Sequence, residues 1–271
     1  MAQGRGREAL IVRRLGQAIV SAVVWALWAL LIILFTPIVA VVFLLTAWWD
    51  RPRWWTGRAF RRLAWSAMVV HPLWRRQVVG SLPPRSEGPF VGVSNHESLA
   101  DVAVIGALPW ETKWISKREN FRIPFLGFMM WLAGDISVDR DDPESRSEAY
   151  EELKRWLARG ASVMIFPEGT RSRTGEMLRF KNGAFRLAVE TERPIVPLAV
   201  ACTREGIRKG SMVFRPTTTR LAILDPVPVE DLGLDDVSDL RDRVKDEIRE
   251  ARNRLRAAGF GERASGGEPP G

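Results

Sequence analysis

The chain has 271 residues, 46% hydrophobic and 27% charged, a composition that supports one or two globular domains and excludes a disordered or collagenous chain. Its formal net charge of +8 is unevenly spread: residues 1–76 hold eleven Arg against Glu8 and Asp50, so the body that follows is close to neutral. The same stretch holds eight of the twelve Trp, and basic charge that flanks apolar sequence but is missing from the body points to an anionic membrane surface and away from nucleic acid.

From Leu15 to Trp49 no residue is charged, and Pro37 interrupts the run. As one helix this segment would be about 52 Å long, against roughly 30 Å of hydrocarbon. A hairpin bent near Thr36 and Pro37 resolves the mismatch and keeps both basic flanks on one side, so the expectation is a monotopic anchor at the cytoplasmic face of the cell membrane, with a single-pass span as the alternative. A cleavable signal peptide is disfavoured by the length of the run, by Trp25 and Trp28 inside it, and by the lack of a small-x-small cleavage site. Residues 51–76 read as an interfacial helix, with Arg58, Arg61 and Arg62 at helical spacing and Trp54, Trp55 and Trp65 for the headgroup level.

After Gly80 short apolar runs alternate with amphipathic stretches. The pattern predicts strands over residues 77–81, 89–93, 113–116, 136–139, 162–166, 195–201, 212–215 and 220–224. Helices are predicted over 99–108, 124–132, 144–159, 183–192 and 235–257. This alternation implies an α/β domain with a mostly parallel central sheet flanked by helices, its functional loops at the strand ends. The expected organisation is an anchor over 1–76, an α/β domain over 77–258 and a disordered Gly/Pro/Glu-rich tail over 259–271. The single cysteine, Cys202, excludes an internal disulfide and fits a reducing compartment.

His96 is the one histidine of the body, at the point where an apolar strand gives way to a helix, and Asp101 follows five residues later. Neither a continuous helix nor a strand brings those side chains together, so they can meet only across a strand-to-helix turn. There the carboxylate would hold the imidazole in one tautomer, making His96 a general base. Ser94 and Ser98 flank the histidine, but no G-x-S-x-G elbow is present and a seryl intermediate is disfavoured. Further on, an apolar strand stops at Pro167, and Glu168, Gly169, Thr170, Arg171 and Ser172 form a loop. Arg171 can grip a phosphate there, and Glu168 can accept a hydrogen bond from a substrate hydroxyl.

The order of these motifs resembles the lysophosphatidic acid acyltransferases, the PlsC-like glycerolipid acyltransferases. That family's first block, NH followed by four residues and D, matches Asn95, His96 and Asp101. Its second is similar to SKREN, with Lys117, and to GDISVDR, from Gly134 to Arg140. FPEGTRS is present in full from Phe166 to Ser172, with FK-x-GA following at Phe180 to Ala184, and the fourth block is similar to IVPLAV around Pro197. The likeness covers about Val79 to Leu224; Asn120 stands where the family usually has Leu. It implies a glycerophospholipid acyltransferase fold that needs no metal or cofactor. The reaction implied is acyl transfer from acyl-CoA or acyl-ACP to the sn-2 hydroxyl of 1-acylglycerol 3-phosphate, giving phosphatidic acid for phospholipid biosynthesis. His96 and Asp101 would be catalytic, Glu168 would position the glycerol moiety, Gly169 and Thr170 would bind substrate beside it, and Lys117, Arg171 and Arg140 would neutralise the phosphate. Another lysolipid acceptor, or a catalytically idle membrane scaffold of the same fold, are the alternatives.

Overall fold

A computed structural model describes residues 2–258, with side chains from Arg14 onward; the expected tail over 259–271 lies outside the described residues. Helix α1 (Ala2–Thr46) and helix α2 (Trp54–Val69) precede the domain. The domain then runs β1 (Trp74–Val79), β2 (Val91–Ser94), α3 (Ala100–Gly106), β3 (Thr112–Lys117), α4 (Leu126–Ala133), β4 (Ile136–Val138), α5 (Pro143–Ala158) and β5 (Ser162–Ile165). It closes with α6 (Gly183–Thr191), β6 (Ile195–Ala201), the short α7 (Thr203–Gly206), β7 (Thr217–Ile223) and α8 (Val237–Ala257). β1 crosses the 76/77 position at which the sequence pattern placed the start of the domain.

The seven strands lie in the order β1-β7-β6-β2-β5-β3-β4. β6, β2, β5, β3 and β4 are mutually parallel, while β7 runs antiparallel to β6 and carries β1 parallel to itself. β6 is buried on both faces and sorts its side chains by parity. Ile195 and Ala199 enter the core under α5, α6 and α8, whereas Val196, Leu198 and Val200 enter the one under α1, α2 and α3. The expected strand over 212–215 is absent. Pro216 has no N–H to offer a ladder, and the main chain before it is engaged elsewhere: Met212 O accepts Trp25 Nε1 at 2.9 Å, and Phe214 N donates to Ser21 Oγ at 3.0 Å.

The expected hairpin at Thr36–Pro37 is not formed. α1 continues through Pro37, and the chain reverses only over residues 47–53, so α2 runs back along α1 with Trp28 Nε1 donating to Ala67 O at 3.3 Å. Pro37 removes one N–H, but close packing about the next turn, where Val39 is fully buried in a cluster with Phe60, Leu63 and Met129, offsets that loss. The reversal is fixed by Asp50, whose Oδ2 accepts Trp55 N at 2.8 Å, and by Arg53 in the left-handed region at φ 50°. Leu15, Ile19, Val23, Leu27, Leu30, Leu34, Ile38, Val41 and Leu45 recur every three or four residues and leave one apolar stripe of α1 exposed along its length. Its opposite face lies on the domain from Ser21, bonded to Phe214, to Phe43, whose ring is 6.4 Å from that of Trp131 in α4. The other histidine, His71, is stacked on Trp74 at 4.0 Å, and burial lowers its pKa to about 4, so it is a neutral packing residue.

Charge locks α2 to the sheet. Arg61 pairs with Asp135 and lies 3.7 Å from Glu111; Lys113, fully buried, donates to Glu111 at 2.9 Å, to Ala133 O at 2.8 Å and to Arg53 O at 3.2 Å. Burial pushes the Glu111 carboxyl up and the Lys113 ammonium down, each resisted by the other's charge. Removing one partner leaves an uncompensated buried charge, so Lys113→Ala should cost about 3–5 kcal/mol in chemical denaturation. A loss below about 1 kcal/mol would show that the quartet does not hold α2 in place.

Candidate active site

Parallel strands end on one edge, and the loops leaving that edge carry the residues singled out in the sequence. β2 leads to His96, β3 ends at Lys117, β4 is followed by Arg140, and β5 leads to Glu168–Arg171. His96 Nδ1 lies 2.8 Å from Asp101 Oδ2, across the expected strand-to-helix turn, with Asp101 in the first turn of α3. The same oxygen accepts Glu97 N at 2.7 Å and Ser98 N at 2.8 Å, so the fully buried carboxylate is held by three donors. An ionised carboxylate only accepts, so Nδ1 carries the ring proton and Nε2 presents a lone pair. The ring is stacked on Phe166 at 4.0 Å, and 13% of the side chain is open to solvent.

Glu168 ties the β2 and β5 loops together. Its Oε1 accepts His96 N at 2.7 Å and its Oε2 accepts Leu178 N at 2.9 Å, while Ser172 N donates to His96 O at 3.2 Å. Burial raises the Glu168 carboxyl pKa, and these N–H donors pull it back toward the charged form. Asn95 acts likewise on the other side: its amide exchanges both hydrogen bonds with the main chain of Val200 in β6, at 3.0 and 2.8 Å. Gly169 sits at φ 70°, where the stem of Lys181 lies 3.1–3.3 Å from the place a Cβ would occupy, so the turn suits glycine alone. Thr170 is exposed and Arg171 half-buried. Ser94 and Ser98 are fully buried and donate to main-chain carbonyls, so neither is paired with His96 as a nucleophile. Burial keeps the Cys202 thiol pKa above its ordinary value, so it is protonated at neutral pH.

Two groups of residues were missed by the sequence reading. Behind the histidine loop, Glu97 Oε1 meets Arg252 Nε at 2.5 Å and Arg256 at 2.9 Å, and Arg252 also donates to Gly175 O, so α8 braces the loops after β2 and β5 from the back. In front, Lys209, on the loop after α7, donates to Thr170 Oγ1 at 3.1 Å and to Arg171 O at 2.9 Å.

Residues 75–201 match the family model described as Acyltransferase. The chain is 39% identical over 159 residues to the human 1-acyl-sn-glycerol-3-phosphate acyltransferase alpha, covering 58% of this chain and 56% of that one. It is 36% identical over 148 residues to the chloroplast 1-acyl-sn-glycerol-3-phosphate acyltransferase BAT2 of Brassica napus, covering 54% and 43%. The chain thus matches about half the length of these curated relatives. The crystal structure of the lysophosphatidic acid acyltransferase PlsC from Thermotoga maritima superposes with a TM-score of 0.78 at 24% identity over 92% of this chain and 100% of that one, a likeness of fold that includes the helices preceding the domain.

The brace behind the site has a pH signature. Burial, then the charge of Asp101, pushes the Glu97 carboxyl from 4.5 up to about 7 against the pull of Arg252 and Arg256. The folded domain therefore keeps a proton that the unfolded chain releases, and stability falls as pH rises across that window. Glu97→Gln removes the titration, so the wild type should lose up to about 3 kcal/mol relative to the variant between about pH 4 and 8. Parallel stability profiles for the two proteins would show that Glu97 does not titrate there.

Proposed function

We propose that the protein transfers a fatty acyl group from a thioester of coenzyme A or acyl carrier protein to the sn-2 hydroxyl of 1-acylglycerol 3-phosphate, giving phosphatidic acid. The observation that carries this reading is the oriented His96–Asp101 pair, its free Nε2 on the same sheet edge as the cations of the β3, β4 and β5 loops. In the reaction the acceptor hydroxyl gives its proton to His96 Nε2 as its oxygen attacks the thioester carbonyl carbon. Collapse of the tetrahedral adduct breaks the C–S bond, and the proton passes from Nε2 to the departing thiolate, leaving an ester, a free thiol and His96 as it began. Asp101 stabilises the transient imidazolium. Lys117, Arg140 and Arg171 receive the phosphate. Glu168 fixes the Gly169–Thr170 turn against the histidine loop, and a remaining lone pair on each oxygen can receive a glycerol hydroxyl. No acyl-enzyme is required, in keeping with the buried serines and the protonated Cys202.

Membrane attachment follows from the shape of the hairpin. The apolar stretch Arg14–Thr46 is long enough to cross a bilayer. Yet the domain flanks it from Ser21 to Phe43, about 33 Å of helix, and a water-facing α/β domain cannot share that depth with the hydrocarbon. The helix instead lies along one leaflet, its open stripe in the lipid and Trp48, Trp49 and Trp55 at the headgroups, with both basic flanks on the cytoplasmic side.

His96→Ala should retain the fold and membrane binding while lowering turnover on 1-acylglycerol 3-phosphate about 10² to 10⁴-fold, and Asp101→Asn nearly as much. Product analysis by mass spectrometry over a panel of lysolipids and both thioesters checks the acceptor; preferential use of a lysolipid without a phosphomonoester would overturn the assignment. For topology, single cysteines replacing Gly16 and Ser238 in a Cys202→Ser background should react with an impermeant maleimide from the same side of sealed vesicles. Opposite-side labelling would restore a spanning helix.

A further inference from the structure

Lys209 lies beyond every motif that identified the site, yet it reaches into it. Its ammonium donates to Thr170 Oγ1 and Arg171 O, and a third N–H has no acceptor among the described residues. The chain around it is anchored at three points. Ile207 O accepts Ser98 Oγ at 2.7 Å, which joins it to the catalytic loop. Met212 O and Phe214 N bond to Trp25 and Ser21 of α1, which joins it to the anchor. The segment Ile207–Phe214 is therefore a strut from the anchor helix to the lip of the active site, with Lys209 at its inner end. Burial, then the charges of Arg173, Arg171, Arg140 and Lys117, hold the ammonium below the ordinary lysine pKa. An ammonium fastened by hydrogen bonds to two neutral oxygens, with four further cations acting on it, suits a multiply charged anion.

We propose that Lys209 is a phosphate-binding residue of the acceptor site: it bridges the Gly169–Arg171 turn and turns its free N–H to the phosphate of the lysolipid, at a position set by the anchor helix through the Ile207–Phe214 strut. This rests on the acceptor assigned under the proposed function. It adds a ligand from the β6–β7 connection to those from the β3, β4 and β5 loops. It also gives the anchor a second task, since a helix in the leaflet then sets the position of a group that grips a lipid headgroup.

The test uses the full chain in neutral detergent micelles, as wild type, Lys209→Met and Lys209→Arg. The Met variant should raise the KM for 1-acylglycerol 3-phosphate about 10 to 100-fold with kcat changed less than about threefold, leave the KM for the thioester in place, and leave transfer to 1-acylglycerol, which has no phosphate, unaltered. Arg should restore most of the loss. A fall in kcat at constant KM, equal losses on both acceptors, or no restoration by Arg would overturn the proposal, because a residue that only staples the turn would act in those ways. Calorimetric titration with sn-glycerol 3-phosphate separates the two assignments. If the wild type does not favour phosphorylated acceptors, the acceptor reading falls; at least tenfold weaker binding to the Met variant still supports the phosphate contact, and equal binding removes it. Should the Met variant fail to fold, Lys209→Gln carries the same comparison.

Discussion

Five parallel strands, β6-β2-β5-β3-β4, must release their C-terminal ends on one edge, and every group of the site depends on that constraint. Adjacency alone is not sufficient, because five loops leaving one edge can splay. They are drawn together by side chains that act as pieces of main chain. Asn95 pairs with Val200 as a strand residue would, and Glu168 accepts one N–H from the β2 loop and one from the segment after β5. Each is buried, so each bond forms where water does not compete and where an unpaired partner would be costly. His96 and the Gly169–Arg171 turn are consequently held in one piece, as the proposed general-base chemistry would require of groups that act on the same small glycerol unit.

The domain also holds charge where a hydrophobic contact would have sufficed. Arg61, Glu111, Lys113 and Asp135 fill the junction between α2 and the sheet, and Glu97, Arg252 and Arg256 fill that between α8 and the histidine loop. Buried ion pairs return little net stability once desolvation is counted. What they supply is orientation: an apolar α2 could slide on an apolar sheet, whereas Arg61 satisfies Asp135 in one register only. Both clusters lie where an added element, the anchor hairpin or the C-terminal helix, is fastened to the sheet.

Much of this was legible in the sequence because the signals were local. The strand-to-helix turn at His96, the loop after Phe166 and five of the domain's helices followed from periodicity within short windows, and His96 and Asp101 are only five residues apart. The failures are non-local. Glu97 meets Arg252 across 155 positions and Asn95 meets Val200 across 105, so neither pairing leaves a trace in any window. Pro37 was read as a bend because proline breaks isolated helices, whereas here the packing of Val39 outweighs one missing hydrogen bond. The expected strand at 212–215 failed for a related reason, its polar groups being taken by α1.

Under the proposed function, the same geometry decides how a lipid would reach the histidine. Ile123, Phe125, Phe128 and Trp131, on and before α4, are also exposed, and Trp131 meets Phe43 of α1, so open apolar side chains lie both on the anchor and on the segment that follows Lys117. A lysolipid lying in the leaflet would then keep its acyl chain against those side chains while its phosphate moved to the cations at the strand ends. Leaving the bilayer altogether would cost about 0.8 kcal/mol for every CH₂ exposed to water. A hairpin that turned at Pro37 would have left the second half of α1 free of α4 and parted the two sets. The continuous helix through Pro37 would thus serve the access route as well as the attachment.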